Sequence, residues 1–339
     1  MECILEMKPS IAIGGRYSNS PMRHRSSNTE NLRQFLEKQG RNVSLDSDEA
    51  DIYLAIDHTE NDEKLLKKRR ELNKFSILYR SEPFCVLPAA YKPETITLYS
   101  SIISFGKSEI MNDGMHWPQY FPVEEQLVWG IHDRLPRAAL INANKLNLSS
   151  SELYSLRRES IKKIEGIDLF GENWNSNLKD RIKVLVIEVM KDPIRHVVAA
   201  SGHSRYWFAN WPETASPADK ISVMQRYKFA LVIENELSYM SEKLFDAFFA
   251  GCIPIYVGPE VTDYKIPKEL VIQCKPTLKS LAEGFEIAMQ TNSANYQEKL
   301  KDWLESESMK ESHEGLRVTN RAIERTLNEY LEFTKVNQL

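Results

Sequence analysis

Residues Tyr227–Pro259 read YKFALVIENELSYMSEKLFDAFFAGCIPIYVGP. The opening YKFALVI is a near-continuous apolar run, the pattern of a strand buried on both faces. It ends at Glu234-Asn235, and a polar loop, Glu236–Met240, leads to Ser241. Ser241 is a good N-cap for a helix over Glu242–Ala250. Gly251 ends that helix, and IPIYV (Ile253–Val257) starts a second buried strand at once. The carboxyl end of the first strand and the start of the helix therefore meet where open α/β sheets take ligands. Free N–H groups and the positive dipole end suit a phosphate there. Lys243 falls in the first turn, where a cation is otherwise unfavourable. A bound diphosphate removes that conflict; the plainer alternative is a lysine pointing to solvent, with Glu242 supporting the dipole.

The same rhythm extends in both directions. Upstream, SIAIG (Ser10–Gly14), DIYLAI (Asp51–Ile56), FSILY (Phe75–Tyr79) and Ile102–Phe105 read as strands. Helical segments separate them over Asn31–Gln39 and Asn61–Lys74. Nearer the central stretch, AALIN (Ala138–Asn142) and IDLF (Ile167–Phe170) are strands around a helix predicted over Ser149–Glu165. Downstream come a short strand at Val271–Gln273 and helices near Leu278–Met289 and Leu316–Phe333. Strands alternating with helices imply parallel βαβ units. Between Asn112 and Pro136 the rhythm breaks at Gly114, Trp117-Pro118, Pro122 and Gly130, which reads as a linker and cleft wall. The expected architecture is α/β: two Rossmann-like domains with parallel sheets facing a central cleft. The divisions are 1–130, 131–315, and a last helix over 316–339 crossing back to the first domain.

The 339 residues suit two domains. The balance of 44 Lys+Arg against 48 Asp+Glu, a net charge of −4, argues against a protein that coats nucleic acid. Cys3, Cys85, Cys252 and Cys274 are scattered, so no disulfide framework or zinc cluster is expected, and a reducing cytoplasm fits best. MECILEMKPSIAIGG lacks a signal peptide's basic start and long apolar run. No stretch has the roughly 18 apolar residues that span a bilayer.

The central stretch resembles glycosyltransferase family 10, the α1,3-fucosyltransferases. YKFALVIEN, SEKL and AGCIPIYVG carry the likeness. Leu140–Asn144 with the Arg157-Arg158 helix and Ile167–Gly171 is similar to a second family unit. Ser81-Glu82-Pro83 after FSILY looks like its acceptor-domain segment. The resemblance implies the GT-B fold. It implies inverting, metal-independent transfer of a sugar, typically fucose from GDP-fucose, to a hydroxyl of an oligosaccharide or lipopolysaccharide acceptor. No cofactor is implied beyond the nucleotide-sugar donor.

Residue roles follow as expectations. Lys243 neutralises the leaving phosphates. Glu242 accepts from ribose or sugar hydroxyls, and Asn235, Tyr239 and Ser241 line the donor pocket. Glu234 bonds either backbone or nucleotide. One of Arg157 and Arg158 clamps the diphosphate, with spacing favouring Arg157. Glu82 is the candidate general base; a turn role or a salt bridge with Arg80 is its rival. The loop Glu236–Met240 is shorter than the family's usual one. That departure keeps open a different donor, such as a CMP- or UDP-sugar. Two further alternatives are a non-catalytic nucleotide-sugar-binding module and, less favoured for lack of a GxGxxG fingerprint, a Rossmann oxidoreductase.

Other patterns read more plainly. Asp46-Ser47-Asp48 has the DxD spacing of a metal–phosphate motif but sits in a polar turn, and the histidines lack ligand spacing, so no metal site is expected. Gly14-Gly15 reads as a strand-to-loop turn. The basic runs Met22–Arg25 and Lys67–Arg70 read as solvated, with an anionic acceptor and an anionic membrane surface at the inner face as the respective alternatives. Trp207 and Trp211 pack in a core or lid, or stack on sugars.

Overall fold

The computed structural model describes residues 9–16, 33, 36–38, 40–44, 47–104, 133–191, 206–212, 214, 219–313 and 315–337. The chain divides into two compact units, 1–117 with 316–339, and 118–315. The predicted linker from Asn112 and the run Met22–Arg25 lie outside the described residues, save the last few linker positions from Asp133.

In the first unit the strands are β1 (Ser10–Gly15), β2 (Asn42–Val43), β3 (Ile52–Ile56), β4 (Phe75–Tyr79) and β5 (Ser101–Ile103). Helix α1 (Asp62–Glu71) joins β3 to β4, and α2 (Pro93–Ile96) precedes β5. All pairings are parallel, in the order β2-β1-β3-β4-β5. Strand β3 is buried along its whole length because both faces are covered. Ile52, Leu54 and Ile56 enter one core, and Tyr53 and Ala55 the other, as the two-residue period of a strand requires. Within the predicted helix Asn31–Gln39 the described residues Arg33 and 36–38 are helical, and Leu36 is in the core.

The basic run Lys67–Arg70 does not form one solvated face. Lys67 and Lys68 pair with Glu63 and Asp48, but Arg69 is 0% exposed. Its guanidinium donates to Ser47 O (2.7 Å), Ala50 O (2.9 Å), Asp51 O (3.1 Å), Phe75 O (2.7 Å) and Ser76 Oγ (3.0 Å). One planar fork thus satisfies the turn before β3 and the start of β4 together. This also accounts for Ser47 and Asp48, which build a structural turn. Arg69→Lys keeps the charge and loses the fork, leaving buried carbonyls without donors. It is expected to cost about 2 kcal/mol in a urea titration.

The second unit contains β6 (Leu135–Ile141), α3 (Tyr154–Lys163), β7 (Ile167–Phe170), α4 (Leu178–Lys191), α5 (Lys220–Met224), β8 (Tyr227–Ile233), α6 (Lys243–Phe249), β9 (Ile253–Val257) and β10 (Ile272–Gln273). Helices α7 (Leu278–Gln290), α8 (Ser293–Glu305) and α9 (Glu307–His313) follow. Its sheet is parallel, in the order β10-β9-β8-β6-β7. The register between β6 and β8 shifts between Leu135 and Ala138, at Pro136, which has no N–H to give to a ladder. Helix α3 begins later than predicted because the Glu152 carboxylate takes the Ser155 N–H and hydroxyl ahead of its first turn.

Counted within each unit, both sheets have the winding 2-1-3-4-5. Ligands bind such sheets at the carboxyl ends of the two strands where the order reverses. Those pairs are β1/β3 in the first unit and β6/β8 in the second.

Helix α10 (Gly315–Asn337) belongs to the first unit. Tyr330 and Phe333 meet Phe75 of β4 edge-on at ring distances of 5.8 and 5.2 Å, and Leu327 joins the same core. Cys85, Cys252 and Cys274 are buried and form no disulfide. Among the described residues no helix is long and apolar enough to cross a membrane.

Candidate active site

At the carboxyl end of β8, Glu234 is the first residue beyond the strand, and its N–H donates to Val257 O of β9 (2.9 Å). Its carboxylate is sealed from solvent. Oε1 accepts from the Ser241 N–H (2.9 Å), and Oε2 from the Ser241 hydroxyl (2.7 Å) and Lys243 Nζ (3.3 Å). Lys243 Nζ also lies 2.7 Å from Ser241 Oγ. The Ser241 side chain bonds Glu234 and Lys243 Nζ and also takes the Lys243 N–H (3.4 Å) at the start of the helix. The position before α6 is Glu242, without a side-chain cap, and the helix is seven residues long. The conflict of a lysine in a first turn is answered inside the protein by Glu234. Glu234 bonds backbone through the Ser241 N–H, and Ser241 is buried beside it.

Asn235 lies next to this cluster. Its backbone carbonyl accepts from the Leu153 N–H (3.0 Å) at the start of α3. Its Oδ1 accepts from Arg157 Nη2 (2.9 Å). Nε and Nη2 of Arg157 also donate to Ile233 O, at 3.0 and 2.6 Å, and the guanidinium lies over the Tyr154 ring at 4.6 Å. Arg157 thereby occupies the β8 side of the β6/β8 crevice. Arg158 points elsewhere. It is 1% exposed, donates to Lys145 O (2.7 Å) and lies over Trp207. Burial pulls its guanidinium down to about 10. Both arginines are buried, Arg157 at 3% and Arg158 at 1% exposure; Arg157 is bonded to the carboxyl end of β8 and Arg158 to Lys145 O.

Glu242 is 3.5 Å from Lys220, which also reaches Asp246 (3.6 Å). Tyr239 is buried in the loop, and its N–H donates to Glu236 O (3.2 Å). Trp207 and Trp211 are buried too. Trp207 donates to Arg181 O, and Trp211 meets Trp174 edge-on at 4.8 Å. Both tryptophans take the core reading.

In the first unit, Glu82 follows β4 at the carboxyl edge and is half-buried. A residue the sequence reading passed over, Asp57, fixes it. Asp57 follows β3, is sealed from solvent and has φ 56°. Its carboxylate accepts from the Ser81 N–H (2.7 Å), the Ser81 hydroxyl (2.6 Å) and the Glu82 N–H (3.2 Å). Tyr91 donates its hydroxyl to Glu82 O (2.9 Å). Burial raises the Asp57 carboxyl, and these donors oppose the rise. The available signal was an acid directly after a fully apolar parallel strand. Arg80 donates to Ala90 O instead of pairing with Glu82. Gly14-Gly15 is indeed a tight turn. A Cβ on Gly15 (φ 93°) would lie 2.2 Å from Ile56 O, and one on Gly14 would meet the Tyr53 hydroxyl. That hydroxyl, bonded to Asp62 Oδ1 (2.7 Å), occupies the space beside the turn. Among the described residues, no group of three or more His, Cys, Asp or Glu is placed to hold a metal ion.

Two doubly wound parallel units of this kind define an α/β protein of the GT-B class. The family model for glycosyltransferase family 10 (fucosyltransferase), C-terminal part, matches residues 161–331. The chain belongs to this family. Alpha-(1,3)-fucosyltransferase 4 of Bos taurus is 39% identical over 72 residues, which are 19% of this chain and 18% of the relative. A crystal structure of an alpha1,3-fucosyltransferase superposes with TM-score 0.54 at 14% identity, over 96% of this chain and 90% of that one. A crystal structure of an alpha1,3-fucosyltransferase with GDP superposes with TM-score 0.53, at the same identity and coverage.

Proposed function

We propose that the protein transfers fucose from GDP-fucose to a hydroxyl of an oligosaccharide or lipopolysaccharide acceptor, by a single inverting displacement that needs no metal. The observation that carries this is the set of Arg157, Asn235 and Lys243 at the carboxyl end of β8, in a chain of this family. Arg157 offers a planar fork and Lys243 a point charge, the two ways proteins hold phosphate oxygens. As the glycosidic bond breaks, charge builds on the diphosphate, and fixed cations stabilise it most at that moment. Glu82, held by Asp57 and Tyr91, is the proposed base for the acceptor hydroxyl. The likeness to a fold neighbour crystallised with GDP supports guanine as the base of the donor. The buried thiols, outside any disulfide, support a reducing, cytosolic setting.

A second reading keeps the chemistry and changes the donor, because the loop Glu236–Met240 departs from the family's usual form. Thermal unfolding with GDP-, UDP-, CMP- and ADP-sugars separates the two. A ligand at 100 times its Kd adds about 2.7 kcal/mol to the native state. GDP-fucose is expected to raise Tm by several degrees, and the other classes to leave it in place. Selective stabilisation by a CMP- or UDP-sugar would establish the second reading instead.

A further inference from the structure

Glu234 is charged, fully buried and given no task by the reaction proposed above. Its surroundings are built for it. A Cβ on Gly258 would lie 2.2 Å from the Tyr256 hydroxyl and 2.9 Å from Glu234 Cγ, so this glycine leaves room for both. Burial, and then the neighbouring Glu234, hold the Tyr256 phenol well above its ordinary range. That phenol stays a neutral neighbour. The cation beside the Glu234 carboxylate is Lys243 Nζ at 3.3 Å, and Ser241 Oγ touches both partners at 2.7 Å. The Lys243 side chain keeps 18% of its surface exposed while Glu234 keeps none. The pair is therefore open only on the lysine's side.

We infer that Glu234 is the resting counter-ion of Lys243. It holds the ammonium while the site is empty, yields it to the diphosphate when the donor binds, and reclaims it when the nucleoside diphosphate leaves. Glu234 thereby sets how tightly the product is held. It is a positioning residue, since it reaches the ligand only through Lys243. The inference rests on the reading of Lys243 as a phosphate ligand. The physical argument is competition. An ammonium bonded to a carboxylate presents a reduced field to a second anion, and every handover leaves the buried carboxylate without its cation, beside Ser241 and the Tyr256 phenol. The influence of Glu234 on binding should therefore vanish once Lys243 is gone.

Titration calorimetry with GDP, UDP, CDP and ADP on the full chain tests this. Wild type binding one of them supplies the reference; wild type binding none overturns the reading of the site itself. With that nucleotide, Glu234→Gln is expected to bind roughly tenfold more tightly, the opposite of what mere damage to the site does. Lys243→Met should bind more weakly, and adding Glu234→Gln to it should change Kd by less than about twofold. Should Glu234→Gln not fold, Glu234→Met removes the same carboxylate at similar volume and is expected to tighten binding in the same direction. Unchanged or weaker binding in a folded Glu234→Gln, or in Glu234→Met where Glu234→Gln does not fold, overturns the inference while leaving the site reading intact. So does the same tightening in the Lys243→Met background, which would show through-space repulsion without pairing.

Discussion

Lys243→Ala is expected to lower turnover by about 10²–10³-fold, the loss seen when one fixed electrostatic partner of a developing charge is removed. Lys243 is suited to this work by its setting. Its ammonium is held 2.7 Å from Ser241 Oγ and 3.3 Å from Glu234 Oε2, so few rotamers remain to be ordered when the donor arrives. The substitution also leaves Glu234 buried beside Ser241 without its cation. Some loss of stability should therefore accompany the loss of rate. The two effects separate in the double variant Lys243→Met with Glu234→Gln, which removes both charges. Its melting temperature should return toward wild type while its turnover stays low. Steady-state transfer from GDP-fucose, read beside a thermal melt, checks both. A Lys243→Ala protein with near-wild-type turnover would remove the lysine from the mechanism.

Glu82→Gln is expected to lower turnover by about 10²–10⁴-fold while leaving nucleotide binding unchanged, as loss of a general base should. The side chain keeps its shape and loses its capacity to take a proton. The backbone on either side is fixed independently of that carboxylate, with the N–H on Asp57 and the carbonyl under the Tyr91 hydroxyl. The fold should therefore be unaffected. Binding of GDP by calorimetry, set beside transfer rates for the same preparation, distinguishes the outcomes. Intact GDP binding with lost transfer assigns the base. Intact transfer excludes it, and the hydroxyl proton must then leave by another group.

The strands could be read in advance because parallel strands covered on both faces must be apolar along their length. DIYLAI, FSILY, YKFALVI and IPIYV are such runs, and each lies where it was expected. Glycine at the end of a strand or helix was equally legible, since Gly15 and Gly251 adopt φ of 93° and 67°, values that other residues rarely tolerate. The short and amphipathic pieces were harder. Helices α2, α4, α5, α8 and α9 were not marked, and α3 was drawn too long at its start. The apolar pattern marks the buried side of a helix, whereas its ends are set by hydrogen bonds such as that from Ser155 to Glu152.

Charged residues mark the boundary of what sequence pattern carries. Alone, an arginine or glutamate reads as solvated, because burying its charge is costly unless partners surround it. Arg69, Arg158 and Glu234 are buried nonetheless, and their partners come from elsewhere in the chain. Arg69 serves the turn at Ser47–Asp51 as well as Phe75. Arg157 serves Ile233 and Asn235, more than 70 residues away in sequence. The sequence by itself determined two parallel α/β units, the stretch that carries the donor signature, and the short list of residues from which a site is built. Only the tertiary structure decided which arginine stands at the β8 edge, that Asp57 fixes Glu82, and that Lys243 rests on Glu234. The physical reason is that strand and helix periods are local, while the partner that makes a buried charge tolerable is chosen by how distant segments pack.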